Sequence, residues 1–387
     1  MSHEIPNENV EENVEVKLVE DRVSVASQRQ LIWWRFRRHR VALIGSIVVL
    51  CFYLAALGGE FLAVSDPTAG RSARAVVPPQ PIHLFDEGSF SPHVCAVEGS
   101  RDLYTLQKTY EADCTQKVGV RLFAEGFEYK FLGLIPSNLH LLGVSEPEKF
   151  KSEEYIFLLG TDVQGRDLYS RIIYGTRSSM TIGLIGVTIS LALGVTLGGI
   201  SGFFGGVLDN VIQRTIEIIR SVPTIPLWMG LAAALPTDWS ILQLYFAITI
   251  IVSLFAWTDL ARVVRGRFLA MREEDFVTAA LVAGAPWQDI IFRHMVPSFY
   301  SHLIASATLA IPFMIISETA LSFLGLGLRP PAISWGVLLQ ATQNVQAIAL
   351  TPWLMFPAVP VIVAILALNF MGDGLRDAAD PYSAVEA

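Results

Sequence analysis

Residues 275–298 read DFVTAALVAGAPWQDIIFRHMVPS, and this segment, called the elbow here, lies between two long apolar runs. A first predicted helix carries small or aromatic residues on one face, at Phe276, Ala279, Ala280 and Ala283. Gly284 and Pro286 end that helix, because glycine commonly terminates helices and proline cannot continue them. The helical period resumes at Trp287, Ile290, Ile291 and His294, and Pro297 starts the next apolar run. The pattern predicts an amphipathic elbow outside the membrane that docks on a partner.

The chain around the elbow is too apolar for an ordinary soluble domain. Of its 387 residues, 52% are hydrophobic and 17% are charged, whereas soluble domains carry about 25% charged residues. A membrane-spanning helix needs about 20 mostly apolar residues. Six spans are predicted, at Val41–Gly59, Met180–Phe204, Val222–Leu235, Ser240–Trp257, His302–Leu324 and Pro352–Met371. The third is short, so it either includes the preceding turn around Ile216 or tilts little. The predicted fold class is an all-α membrane protein with six transmembrane helices.

Basic residues orient these spans, because cytoplasmic loops are enriched in Lys and Arg. Four arginines precede the first span, at Arg35, Arg37, Arg38 and Arg40. The loop between the fourth and fifth spans holds Arg262, Arg265, Arg267, Arg272 and Arg293, whereas the loop between the fifth and sixth holds only Arg329. The elbow and both termini are therefore predicted to be cytoplasmic. A cleavable signal peptide is the weaker interpretation, since the first apolar run begins 40 residues into the chain.

The chain is predicted to divide into five parts. These are a cytoplasmic N-terminal tail (1–40), a first transmembrane helix (41–61), an extracytoplasmic insert with an interfacial segment (62–178), a five-helix core (179–372) containing a cytoplasmic loop (261–300), and a cytoplasmic C-terminal tail (373–387). The first 21 residues are rich in acid and have little to bury, so we expect a disordered tail. The formal net charge of −8 disfavours a nucleic-acid partner.

The insert is predicted to be a small mixed module. Alternating apolar residues at Val118, Val120 and Leu122, and again at Phe127, Tyr129 and Phe131, flank Ala124–Gly126 and predict a β-hairpin. Cys95 and Cys114 both fall in this extracytoplasmic part. We expect a disulfide between them, because such bonds persist on the oxidising side of the membrane. Two unpaired thiols are the alternative.

Sequence motifs for chemistry are absent. The chain has no G-x-x-x-x-G-K-[ST] phosphate loop, and none of its glycines is followed by lysine. It also lacks a G-x-S-x-G elbow, an H-E-x-x-H pair and a C-x-x-C pair. We therefore predict no catalytic, cofactor-binding or metal-binding residues in this chain, and no ATP hydrolysis by this chain alone.

The elbow resembles the EAA loop of ABC importer permeases, in which an acid-Ala-Ala triplet is followed at fixed spacings by Gly and Pro. The matching positions are Ala279, Ala280, Gly284 and Pro297, and the stretch from Asp289 to Pro297 is similar to the peptide-permease branch. Thr278 departs from the pattern, because the family usually has Glu there. The resemblance implies an ATPase-coupling loop that includes Asp275, Ala279, Ala280, Gly284, Arg293, His294 and Pro297.

Further segments look like those of oligopeptide and dipeptide permeases, namely Leu159–Arg171, Ile173–Arg177, Glu318–Gly327 and Gly374–Pro381. The resemblance covers about 30–61 and 159–382. It implies a multi-pass protein of the bacterial inner membrane, forming a hetero-dimer with a second permease subunit. Its other partners would be two ATPase subunits that use ATP and Mg, a periplasmic binding protein and the lipid bilayer. The insert is longer than in the usual dipeptide permease, so the solute is expected to be a peptide or an oligosaccharide.

Some alternatives remain open at this stage. A secondary transporter acting without an ATPase should show internal repeats and midplane charges, which the sequence does not show clearly. A membrane-bound enzyme is disfavoured by the missing catalytic motifs. Glu318 lies inside the fifth span, either near the path or outer gate or as a structural acid paired with Arg329. The polar segment before the second span, Asp162, Arg166, Asp167, Arg171 and Arg177, either contacts a binding protein or is a solvated interfacial face.

Overall fold

A computed structural model of the chain describes residues 28–86, 88–101, 108–236 and 238–379. The acidic tail predicted over the first 21 residues, Thr237 of the loop between the third and fourth spans, and the last eight residues lie outside this described part. Its helices are α1 (Gln28–Arg38), α2 (Arg40–Leu57), α3 (Gly59–Leu62), α4 (Ser152–Tyr155), α5 (Leu168–Phe204), α6 (Gly206–Ser221), α7 (Thr224–Ala233), α8 (Ile241–Met271), α9 (Asp275–Val282), α10 (Trp287–Asp289), α11 (Val296–Ser298), α12 (Tyr300–Phe323), α13 (Trp335–Leu339), α14 (Val345–Leu350) and α15 (Ala358–Ala379). A π-helical turn, Ile290–Met295, joins α10 to α11.

Five helices of the described residues are long and apolar enough to cross a membrane: α2, α5, α8, α12, and α15 with its leading turn (Pro352–Ala379). Two of them extend well past the predicted spans, since α5 has 37 residues and α8 has 31. Hydropathy marks only the apolar part of a helix, whereas backbone hydrogen bonding continues through charged residues such as Arg171 in α5 and Arg265 in α8. The sequence therefore predicted these helices, but it placed the start of α5 at Met180 instead of Leu168 and the end of α8 at Trp257 instead of Met271.

The predicted third span, Val222–Leu235, is wrong as a single transmembrane helix. The structure has the ten-residue helix α7 there, which at 1.5 Å per residue is about 15 Å long and cannot alone cross about 30 Å of hydrocarbon. It is separated from α6 at Val222-Pro223. Proline has no N–H to donate, and it also disfavours a helical conformation in the residue before it.

The packing of the neighbouring helices shows that α6 and α7 together return the chain along the bundle, in agreement with the option that the third span includes the turn around Ile216. Helices α5 and α8 run in parallel, with Gly186 beside Ser253 and Gly198 beside Ala261. The chain must therefore return from one end of the bundle to the other between them. Residues along α6 and α7 contact α8 in reverse order, as expected for an antiparallel return. The contacts are the ion pairs Asp209–Arg265 and Arg220–Asp259 and the packing of Ala232 in one cluster with Ile248. The predicted six crossings become five continuous helices and one broken one.

Glycines let the remaining helices pack closely. A Cβ at Gly45 of α2 would lie 2.6 Å from the carbonyl oxygen of Ala367 in α15, and Gly374 packs on Ala42, so these two helices are antiparallel. Gly183 of α5 packs against Ile311 and Ile315 of α12. The start of α2 and the end of α15 consequently lie together. They lie at the elbow end of the bundle, because Gly372 of α15 packs on Leu309 in the first half of α12, the helix that follows the elbow.

The insert contains a four-stranded antiparallel sheet in the order β1-β2-β3-β4, made of His83–Asp86, Ser89–Arg101, Lys108–Phe131 and Ile135–Val144. The hairpin predicted around Ala124–Gly126 is wrong, because both of its proposed strands belong to β3. The register with β4 shifts between Glu125 and Tyr129. A Cβ at Gly126 would lie 2.6 Å from the ring of His140 on β4. This glycine therefore permits close packing within a bulged strand instead of a turn.

Candidate functional site

The elbow is anchored to the end of the bundle by buried apolar side chains. Val277, Ile290, Ile291 and Met295 are fully buried and pack in one cluster with Val195 of α5, Val264 and Phe268 of α8, and Leu303 of α12. The π-helical turn widens the backbone between Ile290 and Met295, so Ile290, Ile291 and Met295 all reach this cluster. The elbow is consequently a rigid extension of three long helices.

The opposite side of the elbow is exposed and apolar. Its large exposed side chains are Phe276, Leu281, Val282, Trp287 and Phe292, and Val282 is 85% exposed. Ala279 and Ala283 are exposed beside them, whereas Ala280 is half-buried and packs on the cluster beneath. The predicted docking face is therefore corrected at one position, because Ala280 belongs mainly to the anchored side. Exposed apolar patches of this kind mark interaction surfaces in soluble parts of proteins.

Gly284 ends α9 through a Schellman motif. The N–H of Ala285 donates to the carbonyl of Ala280, and the N–H of Gly284 donates to that of Leu281, both at 3.0 Å. Gly284 has φ of +78°, a left-handed conformation that favours glycine. A Cβ at this position would meet nothing within 4 Å, so the surface around it is open. The backbone conformation, and not a neighbour inside this chain, requires the glycine.

The polar residues predicted for the coupling loop lie on the exposed surface. Asp275 is in the first turn of α9, where a carboxylate interacts favourably with the helix dipole. Thr278, which stands at the position of the family's usual Glu, donates its hydroxyl to the carbonyl of Glu274 at 3.2 Å. Arg293 pairs with Asp289 at 3.4 Å, and its side chain is 77% exposed. His294 and Pro297 are also exposed. The segment thus presents both charge and apolar surface outward.

Glu318 is fully buried near the other end of the bundle. Its Oε1 accepts hydrogen bonds from Ser322 and Ser334 at 2.8 Å, and its Oε2 accepts one from Ser179 at 3.4 Å. Ser334 also caps α13, and Ser179 belongs to α5, so the carboxyl links α12, α5 and α13. The hydrogen-bond partners found are hydroxyls, and Arg329, the partner considered from the sequence, is not one of them. This is the geometry expected of a structural acid.

The polar segment before the second span is folded into the protein. Asp162 accepts the backbone N–H groups of Gln164 and Arg166 and the Nε of Arg166 at 2.7–3.0 Å. Arg171 is 2% exposed and donates to the carbonyl of Pro67. The alternative of a solvated interfacial face is therefore corrected, because Leu168, Arg171 and Ile172 are buried in the first turns of α5. Contacts with the insert cover these residues, as the hydrogen bond from Arg171 to Pro67 shows.

Two further predicted positions have defined partners. The Sγ atoms of Cys95 and Cys114 are joined at 2.00 Å. Arg177 donates to both carboxylate oxygens of Glu60 at 2.7 Å, which links α5 to α3. The disulfide joins two strands within the insert, and the ion pair joins α5 to the short helix that follows the first span. Both contacts are distant from the elbow in sequence.

Comparisons with known proteins agree with this architecture. Residues 194–383 match the family described as "binding-protein-dependent transport system inner membrane component", and residues 27–79 match the "N-terminal TM domain of oligopeptide transport permease C". Residues 80–193, which hold the sheet, lie between these two matches.

Similar proteins include three oligopeptide and peptide permeases. The oligopeptide transport system permease protein OppC of Haemophilus influenzae is 40% identical over 230 residues, which are 59% of this chain and 71% of that protein. OppC of Bacillus subtilis is 35% identical, covering 63% and 76%. A putative peptide permease protein of Brucella suis biovar 1 is 34% identical, covering 64% and 78%. This chain belongs to the family of inner membrane components of binding-protein-dependent transport systems.

Proposed function

We propose that this chain is one permease subunit of an ATP-driven importer for peptides. Support for the solute class comes from the relatives, whose names describe oligopeptide or peptide permeases. A second permease subunit completes the transport path, and a periplasmic binding protein delivers the solute. Two ATPase subunits supply ATP hydrolysis with Mg, because this chain carries no phosphate-binding loop.

The observation that carries this proposal is the two-sided elbow. One side is buried against three long helices, and the other presents Phe276, Val282 and Trp287 to a partner. When a partner on the exposed side moves, the three helices packed against the buried side should move with it, because close-packed protein interiors have low compressibility. In our proposal the ATPase occupies the exposed side, and its closure on ATP moves α5, α8 and α12.

A groove beside the elbow indicates where this motion acts. It lies between α5 and α12, and it extends from Phe292 and Val296 of the elbow to Leu184 and Ile311 in the bundle. Its lining is mostly apolar, with hydroxyls from Thr188, Thr196 and Thr308. We place the interface with the second permease subunit, and therefore the solute path, along this face.

The arrangement of the bundle ends supports cytoplasmic N- and C-termini. The beginning of α2 and the end of α15 lie together, at the same end as the elbow. Four arginines lie at the end of α1 and the first residue of α2, as expected for a cytoplasmic boundary. The ATPase would therefore bind at the end of the bundle where both termini lie.

Reconstitution tests the proposed function. The chain is purified with its co-expressed permease partner, ATPase subunits and binding protein, and uptake of a labelled oligopeptide into vesicles is measured with ATP or with a non-hydrolysable analogue. We expect uptake only with ATP and only when the ATPase co-purifies. Uptake by the permease subunits alone, driven by an ion gradient, would identify a secondary transporter and overturn the proposal.

A further inference from the structure

The sheet of the insert brings together three side chains that bind soft metal ions. His83 lies on β1, Cys95 on β2 and Cys114 on β3, and their ligand atoms all lie within 4.8 Å of one another. The sequence showed no such cluster, because His83 and Cys114 are 31 positions apart and follow no metal-binding spacing. Pairing of the three strands, together with the register shift after Cys95, brings Cys114 next to Cys95 and His83.

A second imidazole lies beside this cluster. His93 pairs with His83 across β1 and β2, and the two rings stack with centroids 5.4 Å apart. His93 precedes Cys95 by two positions, and alternate residues of a strand point to the same face. The Nδ1 of His93 is 2.8 Å from the carbonyl oxygen of Ser91. When Nδ1–H donates to that carbonyl, the lone pair of Nε2 is available, which is the usual arrangement of a metal-binding histidine.

We propose that the reduced insert binds one thiophilic cation, such as Zn²⁺, through Cys95, Cys114 and His83, with His93, whose ring stacks on His83, as the fourth ligand. Zn²⁺ favours tetrahedral sets of thiolate and imidazole ligands. In the oxidised protein the two sulfur atoms are bonded to each other, so they cannot bind the cation as thiolates. The insert therefore has two forms, a disulfide form and a metal form.

The exchange between the forms is a two-electron reduction. A dithiol reductant attacks the Cys95–Cys114 bond, forms its own disulfide and leaves two cysteine thiols. Each thiol releases its proton when its sulfur binds the cation, so metal binding releases two protons. Either form links β2 to β3 at this point, and the metal form additionally ties in β1 through His83.

Cobalt titration of the full chain in detergent tests this proposal. The protein is reduced with a phosphine, and Co²⁺ is added while thiolate-to-cobalt charge transfer and the visible d–d bands are recorded. We expect one Co²⁺ per chain with bands typical of tetrahedral thiolate coordination, and displacement of Co²⁺ by Zn²⁺. The oxidised protein should give no thiolate band. His83→Ala should weaken Co²⁺ binding at least about tenfold, as the loss of a metal's supporting groups typically does.

Matched variants and a second measurement separate the site from other thiols. Cys51→Ser removes the third cysteine, which lies in α2, and should leave the bands unchanged. Zinc should also protect Cys95 and Cys114 from alkylation in the reduced protein, and His83→Ala should raise the zinc concentration needed for that protection at least about tenfold. Reduced protein that shows no thiolate band, or that is alkylated equally with and without zinc, would overturn the proposal. Bands that persist in the double variant Cys95→Ser, Cys114→Ser would overturn it as well.

Discussion

Asp167 is the N-cap of α5, and its carboxyl is buried. Its Oδ2 accepts the backbone N–H of Ser170 at 2.7 Å. Burial raises the pKa of Asp167 from its ordinary value near 4 to about 6, and the nearby Asp162 adds to the rise. The folded protein therefore holds this proton more tightly than the unfolded chain does. Stability linked to Asp167 is present at low pH and is lost as the pH rises through about 6.

Asp167→Asn should accordingly stabilise the protein at neutral pH. Asparagine keeps the capping oxygen and buries no charge. At pH 7.5 we therefore expect a gain of about 3 kcal/mol, because the pKa of Asp167 is raised by about two units and each unit corresponds to about 1.4 kcal/mol. Thermal unfolding in detergent, followed by tryptophan fluorescence, measures it. The gain should shrink as the pH falls toward 4. Asp167→Ala serves as the control, because it also loses the cap and should gain less by about 1 kcal/mol. A pH-independent difference would contradict this account.

Two variants of Glu318 distinguish a structural role of its carboxyl group from a role in the transport path or gate. Glu318→Leu leaves the hydroxyls of Ser322 and Ser334 buried without their acceptor. Because each unsatisfied buried polar group costs about 1–3 kcal/mol, we expect a loss of several degrees in Tm and low yield. Glu318→Gln keeps an oxygen acceptor and should retain both fold and uptake. A stable Glu318→Gln protein that loses uptake would instead assign Glu318 to the path or gate.

At the scale of elements, two variants of the elbow with side chains of nearly equal size test whether its apolar face binds the ATPase. Gly284→Asn and Gly284→Asp have similar size, both tolerate the left-handed backbone, and both side chains enter open space. Only aspartate puts a charge on the apolar face. We expect Gly284→Asp to accumulate normally in the membrane but to bind the ATPase at least about tenfold more weakly, whereas Gly284→Asn retains most binding. Co-purification of the ATPase measures both, and equal binding by the two variants would argue against docking at this face.

The elements also show what the sequence could and could not predict. Five helices were predictable, because long apolar runs have few alternatives in a membrane protein. The third span was predicted to begin at Val222, with the turn around Ile216 as a possible extension, but the full helix α6 was not predicted. Asp209 and Arg220 make α6 look too polar to span a membrane, and their ion pairs with Arg265 and Asp259 of α8 are visible only in the structure. The hairpin prediction failed at Gly126 because a turn glycine and a close-packing glycine look the same in sequence. The elbow was predicted well, because its break and its periodicity are both local, but the burial of Ala280 depends on distant helices.

At the scale of the whole molecule, the crossing formed by α6 and α7 determines which loops lie on the same side of the membrane. In a Cys51→Ser background, we expect Asp238→Cys to react with a membrane-impermeant maleimide added to whole spheroplasts. Ala283→Cys and Asp377→Cys should react only after the membrane is permeabilised, since both lie at the elbow end. Labelling of Asp238→Cys and Ala283→Cys from the same side would show that α6 and α7 do not return across the membrane.

The whole-molecule proposal depends on what covers the exposed side of the elbow. Ala279 is exposed there, is small and lies within the family's loop pattern, so a cysteine at this position reports on contact directly. The decisive measurement is crosslinking of Ala279→Cys, in the Cys51→Ser background, with a maleimide–benzophenone photocrosslinker in membranes that contain the co-expressed ATPase. The maleimide bonds to the introduced thiol, and the excited benzophenone inserts into a C–H bond of whatever protein lies beside it. We predict a product containing this chain and the ATPase, formed at Ala279→Cys and absent at Asp238→Cys. Equal crosslinking at the two positions, or none at Ala279→Cys while the ATPase still co-purifies, would contradict the central claim that the elbow is the ATPase-docking surface.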